Sequence, residues 1–290
     1  MTRSDLKPRR IVSACRLVAL GTLAATTLGG TAHADSETTK WSTTGAPGQF
    51  LLAAVAGNEQ PHAAQAEGGE GGEGGEGGLT ESSEVSLMRD LGFMTGHLRA
   101  GMALYEVGDL KAAKTHMGHP IEEKYDAIAE PLQNRGFGNL KDRLISLSTG
   151  VEDEASVEKI RGLFDDVIAG VDDVRKNSPG TPADQLMGLA ALTRVAADEY
   201  RVAIADDGSI KNLHEYQDSW GFLRTVEREA SRWGANDNAD IAGAANKILE
   251  QVNAVKTAYG DLQGNGIKTP NSNLIYGAAA HMELAVLAVE

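Results

Sequence analysis

The 290-residue chain predicts an all-α fold, a bundle of about eight antiparallel helices behind a disordered Gly/Glu-rich tether. Two observations carry the helical body. From Glu84 onward apolar residues recur at three- and four-residue steps, and no sustained two-residue alternation lies between hairpin turns. A third carries the tether. Gly68-Gly69-Glu70 repeats through Gly78, and a glycine-dense run with a like charge at every third position buries no apolar area and repels itself.

The N-terminus reads as an export signal spanning residues 1–34. Arg3, Lys7, Arg9, Arg10 and Arg16 form a basic region, Leu17 to Leu28 is apolar, and Ala32-His33-Ala34 is a small-residue cleavage site. The apolar run is about a dozen residues, short of the roughly 20 that span a bilayer. The expected product is therefore soluble rather than membrane-spanning, and its expected compartment is the periplasm. Cys15, the only cysteine, lies inside this segment, so the mature chain has no thiolate ligand, disulfide or c-type haem attachment. Cleavage would leave 22 of the 27 basic residues and 40 of the 41 acidic ones, a net charge of about −18. That surface repels nucleic acid and favours cations. Residues 35–83 are expected to be linker and residues 84–290 the folded body.

Within the body, Val157, Ile160, Phe164, Val167, Ile168, Val171 and Val174 trace one stripe, and Ile241, Ala245, Ile248, Val252, Val255 and Tyr259 another. Leu213, Tyr216, Trp220 and Leu223 mark a third helix, ended by Gly234. Breaks fall at Gly108-Asp109, His119-Pro120, Asn134 to Gly138, Ser178 to Pro182, Asp206 to Gly208 and Gly264 to Pro270. Thr181 before Pro182 is a helix start, with the proline at the first helical position. Pro120 disfavours helical geometry at His119, so His119 is expected to cap a new helix. No phosphate loop, dinucleotide fingerprint or nucleophile turn is present, and the chain reads as non-enzymatic.

Donor atoms concentrate between Gly96 and Glu123. His97 lies on the first long helix, and His116, His119 and Glu122 follow a reversal at Gly108-Asp109 that folds the two segments together. Imidazole, carboxylate and thioether without thiolate suit iron, copper or zinc. Met94 or Met102 beside His97 also allows a haem reading. His214-Glu215-Tyr216-Gln217-Asp218 resembles the helical zinc-protease pattern, with Asp218 in place of the second histidine. Glu199 and Tyr200, with Glu215, Tyr216 and Asp218 on the next helix, offer a hard oxygen-donor site for ferric iron, against the plainer expectation that these are polar positions on exposed faces with the tyrosines packed.

Two stretches carry a family resemblance. Ala196 to Tyr200 with the Asp207-Gly208 turn, followed by Glu215 to Phe222, resembles the extracytoplasmic helical segment of bacterial high-affinity iron permeases. The Gly-His-x-x-Glu string from Gly118 to Glu122 on an exported helical chain is similar to the imelysin group of periplasmic iron-associated proteins. These resemblances imply metal acquisition, with His119, Glu122, Glu199 and Glu215 as site residues and an inner-membrane metal permease as partner. The expectation is a non-enzymatic protein that captures or delivers a transition metal ion, iron or copper. A non-catalytic envelope scaffold with incidental histidines is the alternative.

Overall fold

Glycines let one helix run through the middle of the body. In the computed structural model, which describes residues 82–289, α1 (Ser83–Glu106) is buried on almost every side. Ser82 caps it, accepting from the Val85 backbone N–H at 3.2 Å. Gly108 adopts φ +83°, and Asp109 then caps α2 (Leu110–His119) by accepting from the Ala112 N–H. The reversal expected at Gly108-Asp109 is present, and α2 packs back along α1.

Pro120 does not break the chain as expected. His119 keeps helical angles (φ −49°, ψ −43°), and α2 runs directly into a five-residue π-helical turn, Pro120–Lys124. Pro120 has no N–H to give to the preceding turn, and the Tyr125 N–H instead reaches the Pro120 carbonyl, the wide closure of a π turn. The helical course then resumes in α3 (Tyr125–Asn134). His119 therefore stays on the α2 helix, one turn after His116, instead of leaving it as a cap.

The remaining helices follow the stripes. They are α4 (Leu140–Glu152), α5 (Val157–Asn177), α6 (Pro182–Ala203), α7 (Leu213–Trp233), α8 (Ala239–Ala254) and α9 (Ser272–Leu287). Thr181 and Asp184 complete a capping box at α6 with Pro182 at the first position, as the sequence indicates. Val255 and Tyr259 extend the α8 stripe past its end, through a short 3-10 turn at Lys256–Ala258. Among the described residues there is no strand beyond a single antiparallel bridge between Ile204 and Ile210. The fold is all-α. The signal segment and nearly all of the linker lie outside the described residues.

Two apolar clusters form the core. One gathers α6 to α9 and takes Phe93 from α1, and the other gathers α1 to α5. Helix α1 belongs to both, which requires close approach. A Cβ on Gly221 of α7 would lie 2.3 Å from the Gly96 carbonyl oxygen, and one on Gly101 would lie 2.6 Å from Met117 of α2. These contacts seat α2 and α7 against α1 at the level of His97.

A candidate metal centre at the seam of three helices

Five side chains meet where α1, α2 and α7 touch. His97 comes from α1, His116 and His119 from adjacent turns of α2, and His214 and Asp218 from adjacent turns of α7. The close Gly96–Gly221 approach brings His97 to Asp218, and the Gly101 approach brings His116 in from the other side.

The Asp218 carboxylate is the hub. Its Oδ1 lies 2.5 Å from His97 Nδ1 and 2.8 Å from His116 Nδ1, and its Oδ2 lies 3.3 Å from His214 Nε2. His214 Nε2 in turn lies 3.4 Å from His119 Nδ1. The His116 and His214 rings stack with centroids 4.2 Å apart, and Phe93 and Phe222 pack edge-on against His97. Exposure divides the cluster. The side chains of His97, His116 and Asp218 are at most 3% exposed, whereas His214 is 27% exposed and His119 is half-buried.

The network fixes which nitrogen of His116 carries a hydrogen. The Gln217 Nε2 amide donates to the Leu262 carbonyl at 2.9 Å, so its oxygen must face the other way. That oxygen lies 2.9 Å from His116 Nε2, which must therefore donate. His116 Nδ1 is left facing the carboxylate, where it holds either a second proton or a metal ion. An outer partner that fixes the tautomer of a ligating histidine is the usual support of a metal site.

Electrostatics agree with this reading. Burial works against charge on Asp218, yet the adjacent His97 and His116 imidazoles hold its carboxyl well below the usual carboxylate range. Burial also works against charge on His116, but the Asp218 charge and hydrogen bond outweigh it, and the His116 pKa is raised. Burial lowers His214 to about 4; it outweighs the pull of Asp218, and repulsion from the other histidines adds to the lowering. The metal-free cluster thus favours an imidazolium–carboxylate pair inside and a neutral imidazole at the solvent edge.

Among the described residues, two groups of three could each hold a metal ion: His97, His116 and Asp218, and His119, His214 and Asp218. In each group the donor atoms lie within 4.8 Å of one another. The expected convergence of His97, His116 and His119 is present. The Glu122 side chain lies outside the described residues. Glu199 and Glu215 pair with each other beside the cluster, where burial, then the hydrogen bond that Glu199 gives to Glu215 and the charge of Glu215, push Glu199 up to about 9. Glu215 and Asp218 are buried, not on an exposed face, because α7 is covered by α1 and by the loop after α8. The tyrosines are packed as expected: Tyr200 and Tyr216 give their hydroxyls to the Ala258 and Asp261 carbonyls. Met94 and Met102 lie in the apolar cluster of α1 to α5.

The protease-like pattern marks His214 and Asp218 in the sequence without joining them to the α2 histidines. Their i, i+4 spacing was the signal, since it places both on one helical face whether or not the second residue is histidine. No protein-family model matches the chain, and comparison with curated proteins and with solved structures returns no match, so neither family resemblance is tested there.

Proposed function

We propose that this chain is an exported, non-enzymatic metal-binding protein that captures a divalent transition-metal ion, iron or copper, and yields it to a membrane-bound permease. One observation carries the reading: two buried histidine nitrogens converge on one buried carboxylate oxygen. A buried carboxylate is costly without a compensating positive charge. Protons supply that charge in the metal-free protein, and a divalent ion supplies it with better geometry, since imidazole nitrogen and carboxylate oxygen are its natural ligands. Three protein donors leave coordination positions for water or a second ligand, which suits an ion that must be released again. The low pH of a proton-rich compartment would promote release, because protons compete for the same lone pairs.

The test is elemental analysis of chelator-free protein purified from its native host, followed by titration of the stripped protein. About one or more equivalents of iron or copper, rebound more tightly at pH 7.5 than at pH 5.5, is the expected result. Protein that carries no metal and rebinds none would move the reading to an envelope scaffold.

A further inference from the structure

Asp218 divides its two oxygens between two sets of histidines. Oδ1 faces His97 and His116, and Oδ2 faces His214, which is itself within 3.4 Å of His119. Each set therefore offers two imidazole nitrogens and one carboxylate oxygen. The stack of His116 on His214, with ring centroids 4.2 Å apart, holds one histidine of each set side by side.

Resting on the metal-binding reading above, we infer that the centre takes two transition-metal ions bridged by the Asp218 carboxylate. The inner ion is held by His97 Nδ1, His116 Nδ1 and Asp218 Oδ1, and the outer ion by His119 Nδ1, His214 Nε2 and Asp218 Oδ2. Ions in two-metal sites sit about 3.5–4 Å apart, and the α2 and α7 donors of the two sets come from neighbouring turns. The partial exposure of His119 and His214 makes the outer position the exchangeable one. The inner position, with Phe93 and Phe222 packed against His97, exchanges more slowly.

Titration of the full chain with Cu²⁺, followed by electron paramagnetic resonance, tests this. The His119→Ala/His214→Ala double variant and Asp218→Asn are compared with wild type, with folding checked by circular dichroism. Expected is a mononuclear spectrum at one equivalent, then loss of that signal through spin coupling as a second ion binds. The double variant should lose one ion and keep the mononuclear spectrum, and Asp218→Asn should lose both. A wild type that binds one ion retained by the double variant overturns the two-ion inference and leaves the metal-binding reading standing. One ion lost in the double variant overturns it as well, since all four histidines would then share that ion. Two uncoupled copper signals in the wild type remove the bridge. No binding above the Asp218→Asn background removes both readings.

Discussion

Helix α7 carries polar side chains into two buried places and resolves them in opposite ways. On one side, Tyr216 donates to the Asp261 carbonyl and accepts from the Gly260 N–H, while Ser219 donates to the Ala196 carbonyl and meets the Tyr259 hydroxyl at 2.6 Å. Donors there match acceptors, mostly backbone ones, and no charge is needed. On the other side, two imidazoles face one carboxylate oxygen and a third faces its partner oxygen. That arrangement balances only when positive charge is added. A buried polar group closed on the backbone fastens a loop to a helix, whereas donor atoms closed on each other form a place for a cation.

Asp218→Asn breaks the comparison most severely. It keeps the shape and removes the charge, so metal affinity should fall by about 100-fold or more, as read by calorimetric titration. Metal-free stability should fall by about 3 kcal/mol in chemical denaturation, because His116 loses the partner that supports its charge. Gly221→Ala attacks the scaffold instead. Its methyl would meet the Gly96 carbonyl, push α7 from α1 and separate Asp218 from His97. A stability loss of about 1–3 kcal/mol with weakened metal binding is expected.

The pH dependence of the metal-free protein sharpens the contrast, since only the histidine side titrates near neutrality. His214 is held at about 4 against an ordinary 6.5, so folding stability should decline as pH falls from about 6.5 toward 4. The decline approaches about 3 kcal/mol and should vanish in His214→Gln. The raised His116 acts in the opposite sense: its contribution is complete below its unfolded pKa and is lost as pH rises through the folded value. Asp218, depressed in the folded state, contributes above its unfolded pKa and loses that contribution in strong acid.

On the tyrosine side, Tyr216→Phe should cost about 1–3 kcal/mol, because it strands a carbonyl and an N–H. It should leave metal affinity unchanged, the result that separates a fastener from a ligand site. His281→Ala is the smallest effect. His281 is exposed and meets Gln251 at 3.2 Å, so stability should move by less than about 0.5 kcal/mol and metal binding not at all.

The helical body was legible in the sequence because the apolar stripes and their glycine and proline breaks are local signals. The stripes of α5, α7 and α8 face the core, with Ile160, Val167, Tyr216, Leu223, Ile248 and Val252 buried and Val157, Phe164, Leu213 and Trp220 half-buried. Part of the site was legible too, since the Gly108-Asp109 reversal dictates that α2 returns along α1. The His119-Pro120 step was not, because a π turn absorbs the proline where a break was expected. Nor was the role of α7. His214 and Asp218 lie about 100 positions beyond His116, and their place depends on the Gly96–Gly221 approach, a packing contact with no periodic signature. Asp218 looked like a surface residue because burial of a charge is intelligible only once its partners are in place.

The account turns on the arrangement of His116, oriented through Gln217 by the Leu262 carbonyl. Nitrogen-detected NMR of the histidine rings, recorded on ¹⁵N-labelled protein before and after addition of diamagnetic Zn²⁺, observes it directly. The account predicts that His116 keeps its hydrogen on Nε2 in both states, and that Zn²⁺ displaces a proton from Nδ1 and shifts that resonance. Coordination through Nε2, or a His116 ring indifferent to Zn²⁺ while the protein binds it elsewhere, would contradict it.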